Sequence, residues 1–449
     1  MSTSTQSLPH RDRTLLDRML SPFSRVEGGE GAGALLLAAN VFLLLGSYYV
    51  LKTVREALIL GEAGAVVKSY ASAGQAVLML LVVPLYSWFG SRVGRLNLIA
   101  GSTLFFASHL AIFYLLSQAG VHVGIPFFLW LGVYNMFVVA QFWSFANDLY
   151  TEDQGKRLFP IIGVGASLGA WVGSLAAKEM FKIFSPYQLM LITIGILGVC
   201  IGLTYISHVR QKRLSDSAHS KVVDAPLNKS GGFQLVFQNR YLLWIAALVL
   251  LLNLVNTTGE FLLGSFVADQ ATARFGAGDA FAAQRGAFIG QFYGDYFSWV
   301  NLLGFLIQTF LVSRIFKYAG VGVALFILPT IALGGYSLLI FAPVLAIVRA
   351  AKILENATDY SLNNTVRQAL FLNTSREAKY KAKAAIDTFF VRFGDMIQAG
   401  IVFIGTSLAW TTKNFAMLNA CFVLVWFFVA WQIYKGFKRQ EVEAAKRDS

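Results

Sequence analysis

The sequence predicts an all-α polytopic membrane protein with twelve transmembrane helices in two six-helix halves. Three observations carry that prediction. Of 449 residues, 56% are hydrophobic and only 14% charged, against roughly 45–50% and about 25% in soluble domains. Largely apolar runs of roughly 20 residues recur from Ala34 to Tyr434, each long enough to cross about 30 Å of hydrocarbon as a helix. The longest polar interruption, 208–240, falls near the middle. This excludes a cytosolic enzyme, and it excludes an outer-membrane barrel, whose strands are about ten residues long and alternate in polarity.

The twelve spans read 34–60, 69–89, 96–117, 124–148, 158–177, 187–207, 241–266, 287–312, 319–341, 344–371, 384–408 and 415–434. They divide the chain into an N-terminal tail (1–33), a six-helix bundle (34–207), a linker (208–240), a second bundle (241–434) and a C-terminal tail (435–449). A net charge of +13 invites a nucleic-acid reading, but the placement of the basic residues argues otherwise. The tails and the even-to-odd loops hold 25 of the 37 Lys and Arg, and the opposite loops hold six. That bias places both termini in the cytoplasm, so the charge sets topology and no nucleic acid is expected. In the N-terminal tail, Leu15, Leu16, Met19, Leu20 and Phe23 suit a short interfacial helix; the tail lacks the order of a cleaved signal. Cys200 and Cys421 lie in apolar runs without metal-ligand spacing and read as small buried hydrophobes.

The halves echo each other faintly. Thr53–Leu60 ends span 1 and Thr257–Gly264 lies in span 7, so Glu56 and Glu260 fall at equivalent places; the loop Thr151–Arg157 resembles Thr374–Tyr380. Two six-helix halves around a central cytoplasmic loop are the organisation of major-facilitator-type carriers, which bind substrate near mid-membrane.

Six basic residues remain inside spans (Lys52, Arg55, Arg349, Lys352, Arg367 and Arg392), together with eight acids: Glu56, Asp148, Glu260, Asp295, Glu355, Asp359, Asp387 and Asp395. A charge at the bilayer centre costs at least about 2.5–3.5 kcal/mol, so these groups must face each other, water or a polar substrate. In span 10, Arg349, Lys352, Asn356, Asp359, Asn363 and Arg367 step by three or four residues and stack on one helix face. Such a stripe must line a wet cavity or meet another polar helix. Lys52, Arg55 and Glu56 share a face of span 1, one turn after Tyr48 and Tyr49. In span 4, Gln141, Phe145 and Asp148 lie near one face, flanked by Phe142, Trp143 and Asn147. Span 11 adds Asp387, Asp395 and Gln398, with Lys383 just before it.

Simple pairing is the bland alternative: Arg55 with Asp148, Arg392 with Asp395 or Asp387, Arg349 with Glu355. The functional reading turns the charges toward one solvent-filled pocket, where guanidinium forks grip phosphate and Tyr48, Tyr49, Phe142 or Trp143 stack a planar base. Lys52, Arg55, Asn147, Arg349, Lys352, Asn356, Arg367 and Lys383 are then the substrate-binding candidates, and Glu56, Asp148, Glu260, Asp359 and Asp387 couple or gate. The expected cargo is an organic anion with a phosphate group. A rival on the same scaffold is a proton-coupled carrier of another organic anion or amphiphile, with Asp148, Glu260, Asp359 and Asp387 as relay.

Gly165, Ser167 and Gly169 match GxSxG, yet a nucleophile elbow needs a strand–turn–helix and a nearby His. With Gly163 and Gly173 the segment reads instead as a small-residue face for close helix packing. A membrane enzyme using Ser167 is the remaining minor alternative. No nucleotide-hydrolysis lysine loop, HExxH or CxxC occurs, which leaves exchange or ion coupling as the energy source, without catalytic residue, metal or cofactor.

Three stretches carry a resemblance: Tyr48–Leu60; Phe142–Asp148 followed by Gly155–Gly163; and Tyr360–Leu362 followed by Lys381–Asp387. The sequence resembles the bacterial and plastid nucleotide transporter family, the ATP/ADP translocases, over about residues 35–435. The resemblance implies a monomeric twelve-helix carrier in a bacterial inner membrane that exchanges ATP for ADP, or imports nucleotides, without hydrolysis. The family's span-1 Lys-Asp pair falls on Arg55-Glu56, its span-4 acid on Asp148, and its cytoplasmic-end Lys on Lys381 or Lys383. Its span-7 Asn-Leu-Val-Glu pattern falls on Asn253–Asn256, so the acid is missing there; either Glu260, one turn later, substitutes for it or the coupling differs.

Overall fold

The computed structural model describes residues 14–21, 25–90, 93–214, 232–372, 374–375 and 378–448. Phe23 of the expected interfacial helix and most of the central linker lie outside them. Among the described residues there are helices and no strands. Among the described residues, eleven helices are long and apolar enough to cross a membrane. The twelfth span is span 10, disqualified by its own charges: Leu345–Thr358 continues through a π-helical turn, Asp359–Asn363, into Asn364–Ala369.

Spans 1 to 6 are Gly31–Glu62, Gly64–Gly90, Arg95–Gln118, Gly124–Leu149, Glu152–Met180 and Pro186–Leu214. Span 7 is Arg240–Phe275, capped by Asn239, whose side chain accepts from the Tyr241 N–H at 2.9 Å. Span 8 runs from Ala282–Leu306 through the π turn Ile307–Leu311 to Val312–Tyr318. Spans 9, 11 and 12 are Ile327–Phe341, Lys383–Ser407 and Thr412–Asp448. Most begin earlier than the hydropathy suggests. The reversal between spans 1 and 2 shows why: Gly64 adopts φ +81, a conformation open to glycine, so the turn needs almost no loop. Lys68 therefore lies inside span 2, not before it.

The compact units differ from the two sequence halves. One comprises Met1–Val54, Pro84–Val121 and Trp130–Lys221; the other comprises Arg55–Val83, His122–Leu129 and Val222–Ser449. In the first unit, spans 3 and 6 pack together, and Gly165, Gly169 and Gly173 of span 5 lie against the span 1 backbone. A Cβ on Gly169 would sit 2.3 Å from the Phe42 carbonyl oxygen, and one on Gly173 2.4 Å from that of Gly46. The GxSxG match is thus mid-helix and serves as a packing seam. In the second unit span 7 is central, contacting spans 8, 10, 11 and 12, as a helix apolar on all sides should. Leu81, Leu115, Phe341, Phe403 and Phe428 are exposed, the surface that lipid solvates. Cys200 is buried, but Cys421 is exposed, because it faces outward from span 12 and not into the packing.

The helix Leu15–Leu20 forms, with Leu15, Leu16 and Met19 exposed. Its Asp17 is fully buried and accepts from Thr14 Oγ1 (2.8 Å) and from the N–H groups of Gly29 (2.9 Å) and Gly31 (2.8 Å), capping span 1. Burial pushes the Asp17 carboxyl up, but the donors from Gly29, Thr14 and Gly31 outweigh it and hold it below the usual range. Nearby, Glu30 accepts from Arg157 at 2.8 Å and from Gln154 at 3.0 Å, joining the starts of spans 1 and 5. Burial again raises the Glu30 carboxyl and Arg157 more than reverses this.

Two outcomes follow from this packing. Gly169→Ala should destabilise by about 1–3 kcal/mol through overpacking, read as a lower thermal midpoint in detergent. Gly195→Ala, with nothing within 4 Å of its Cβ position, should not. Asp17 and Glu30 have depressed values in the folded protein, so their contribution is full above the ordinary carboxylate range and is lost as pH falls through the depressed values. Proteolysis at Arg18 and Arg25 should therefore accelerate on acidification, and Asp17→Asn should show that faster cleavage already at neutral pH.

Candidate functional site

The polar stripe of span 10 becomes a buried network in the second unit. Lys352, 1% exposed, donates from Nζ to Asn256 Oδ1 at 2.6 Å, to the Asn256 carbonyl at 3.2 Å and to Glu355 at 3.1 Å, with Glu260 3.8 Å away. Tyr336 Oη donates to the other oxygen of Glu355 at 3.0 Å. Asn356 Nδ2 donates to Glu260 at 2.9 Å and to Tyr296 Oη at 2.8 Å, and Tyr296 Oη donates to Glu260 at 3.2 Å. Gly259 makes room for this: a Cβ there would fall 2.2 Å from Tyr336 Oη and 2.9 Å from Lys352 Cδ.

A second knot adjoins the first through aromatic rings. Arg55 Nε donates to Glu56 at 3.0 Å, and the other Glu56 oxygen lies 2.6 Å from Lys68 Nζ. Arg55 also sits over the Phe128 ring, centroid 4.7 Å. Lys68 lies over Tyr293 (5.5 Å), whose ring meets Tyr296 edge-on at 5.8 Å. The two knots together hold Arg55, Lys68 and Lys352 against Glu56, Glu260 and Glu355: three cations to three carboxylates. Uncompensated charge at this depth is costly, and the arrangement leaves none.

Arg55, Arg349 and Lys352 are accordingly tied into ion pairs, contrary to expectation, although the Arg349 side chain keeps 35% of its surface exposed. One simple pairing differs: Arg349 bonds Asp295 and not Glu355, whose carboxylate Lys352 and Tyr336 already occupy. Arg55 bonds its neighbour Glu56. Arg392 does pair with Asp395, at 3.3 Å. Lys383 and Asp387 pair with each other, on exposed or half-buried positions of span 11. Asp359 accepts from Asn363 Nδ2 at 2.7 Å inside the π turn of span 10, where the extra residue per turn keeps the stripe in register despite steps of four. Arg367 has no ion pair among the described residues, and its Nε is buried without a partner there.

The first unit holds the remaining candidates. Tyr48 and Tyr49 meet edge-on at 5.3 Å, and Lys52 lies over Tyr49 at 5.2 Å. Asn147 and Asp148 are exposed. Trp143 packs edge-on against Phe159 at 5.8 Å. Phe142 is buried and lines a cavity of about 20 Å³ with Asn40, Thr103, Gln141 and Thr204, room for one water and no base. Gln141 accepts there from Ser102 at 2.8 Å.

Sequence reasoning missed Lys68, Asn256, Tyr293, Tyr296 and Tyr336 as members of the network. Lys68 is the lone cation of its loop, and Tyr336 stands alone in an apolar span; both were visible signals. The tyrosines' roles depend on helix rotation, which hydropathy does not report.

The comparisons with known proteins bear on what such a network serves. Residues 128–437 match the family described as TLC ATP/ADP transporter. The chain belongs to the TLC ATP/ADP transporter family. It is a multi-pass membrane transporter, not an enzyme. The family match begins after the Tyr48–Leu60 stretch and includes the other two that carried the resemblance. The carrier is 22% identical to ADP,ATP carrier protein 1 of Chlamydia pneumoniae, over 69% of this chain and 67% of that one. It is 20% identical to ADP,ATP carrier protein 1 of Rickettsia conorii, over 94% and 97%. Among solved structures, it superposes on a bacterial homologue of the iron transporter ferroportin (TM-score 0.64, 14% identity, 90% of this chain and 98% of that one). It also superposes on the POT family transporter PepTSo (0.62, 13%, 91% and 99%) and the nucleoside transporter NupG (0.58, 13%, 90% and 99%). At such identities these establish the facilitator-like fold alone.

The carrier's departure from the family pattern has a structural consequence. Asn256, where the resemblance places a glutamate, still receives Lys352, through an amide oxygen. The carboxylates come instead from Glu355 and, more distantly, Glu260. Lys352→Met should strand Glu355 and cost about 3–5 kcal/mol, whereas Lys352→Met with Glu355→Gln should recover part of that loss in a double-mutant cycle of thermal midpoints.

Proposed function

We propose that this carrier exchanges nucleotides of the ATP/ADP type across a bacterial inner membrane, as a monomer with both termini cytoplasmic, without hydrolysing them. The observation that carries this reading is the column of span 10, cationic at Arg349 and Lys352 at one end and Arg367 at the other, in a chain of this family. Polyphosphate needs several fixed cations, and guanidinium forks suit it. Arg367, not spent on a carboxylate among the described residues, is the readiest phosphate ligand. Lys352, Arg349 and Arg55 reach phosphate by exchanging a carboxylate partner for it. Lys383 can make the same exchange with Asp387. Within the first unit, Tyr48, Tyr49 and Trp143 are half-buried and offer ring faces, whereas Phe142 is buried. Glu56 and Glu260 set the charge balance to which the substrate must adapt; Asn356 and Asp359 hold the column's middle, and Lys52, Asn147 and Asp148 are the polar groups the first unit offers.

The test is uptake of radiolabelled ATP into ADP-loaded proteoliposomes. Saturable uptake that needs internal nucleotide is expected. Arg367→Ala should lower its kcat/KM roughly tenfold to a hundredfold, the loss of one charged hydrogen-bonding group worth about 1.5–3 kcal/mol. No uptake by the parent, or equal uptake by the variant, overturns respectively the cargo or the role of Arg367.

A further inference from the structure

The second compact unit joins segments far apart in sequence, and the places where they touch share one feature. The end of span 1 and start of span 2 meet spans 7, 8 and 11 at small or weakly polar contacts. A Cβ on Gly61 would lie 3.7 Å from Gly286 Cα, and one on Gly264 would lie 3.3 Å from Leu60 and 3.5 Å from Ala65. Gln398 Nε2 donates to Ser69 Oγ at 3.2 Å. Lys68 crosses the same seam, with its ion pair, to Glu56 at 2.6 Å, on its own side; on the other it meets the face of Tyr293 at 5.5 Å and attracts Glu260 without an ion-pair contact among the described residues. Because successive spans alternate in direction, the ends of spans 1 and 7 and the starts of spans 2 and 8 lie at the membrane face opposite the chain termini.

We propose that this seam is the closed gate of that face, and that Lys68 is its positioning residue. A carrier that rests closed must part the contacts repeatedly. An ion pair across the seam would leave two bare charges in a low-dielectric interior at each opening. Lys68 avoids this: when the seam parts it keeps its Glu56 ion pair and gives up a ring face, an interaction strengthened by desolvation and weakened by water, together with a longer-range attraction to Glu260. The glycines bring the backbones together without side chains that interlock. The inference rests on the chain being a carrier, not on the identity of its cargo.

Single-cysteine labelling tests it independently of substrate. In a Cys200→Ala, Cys421→Ala background, the reporter Ile289→Cys lies one turn inside Gly286 at a fully buried position. A membrane-impermeant maleimide applied from the face opposite the termini should label it slowly. Adding Lys68→Met or Tyr293→Leu should speed labelling several-fold, whereas Lys68→Arg and Tyr293→Phe, which keep cation and ring, should match the parent. Equal labelling rates in the parent and Lys68→Met overturn the proposal. A second variant guards against a reporter that fails to fold. In Gly61→Cys with Gly286→Cys, where the Gly61 Cβ position lies 3.7 Å from Gly286 Cα, a short bis-methanethiosulfonate linker should join the two thiols and abolish exchange, with dithiothreitol restoring it. Undiminished exchange by the fully crosslinked protein also overturns the gate. No exchange by the reduced parent counts against the nucleotide reading alone, and the labelling rates then decide.

Discussion

A charge buried at membrane depth must be matched by an opposite charge or by neutral hydrogen-bonding groups, and most of what is particular about this structure answers that constraint. Three cations and three carboxylates lie in two knots joined by Tyr293 and Tyr296. The unusual features nearby serve the matching. Gly259 clears space for Lys352 and Tyr336, and Gly64 permits a reversal short enough to bring Lys68 to Glu56. The π turn in span 10 keeps Asp359 and Asn363 together. Remove the charges and none of these devices has a purpose.

Matching also reconciles two facts that look opposed. The cations expected to await a phosphate are mostly occupied, yet the chain belongs to a family of transporters. Pairing with carboxylates on the same protein is what allows cations to lie in a low-dielectric interior. Lys352 illustrates the economy of the arrangement, with an amide oxygen, a carbonyl oxygen and a carboxylate within 3.2 Å. Each is a weaker hold than a bidentate carboxylate fork would be.

The partition into units carries a related lesson. Hydropathy and the central linker divide the chain evenly, whereas packing assigns Arg55–Val83 and His122–Leu129 to the unit of the last six spans. Close glycine approaches and the Ser69–Gln398 hydrogen bond account for that assignment. Which helix ends adhere is thus a property of backbone proximity that leaves little trace in residue periodicity.

By itself the sequence determined the helical membrane class, the span order, the small-residue seam of span 5 and the polar face of span 10. Those depend on local quantities: apolar length and residue spacing at 3.6 per turn. It also singled out Arg55, Glu56, Glu260, Lys352 and Asn356 as groups too costly to bury alone. Only the tertiary structure decided who neutralises whom: that Arg349 meets Asp295, that Glu355 belongs to Lys352 and Tyr336, that Phe142 is core, and that Lys68 sits inside the membrane span. Partner choice depends on helix rotation and on which segments approach, and one buried carboxylate serves any cation that geometry brings to it.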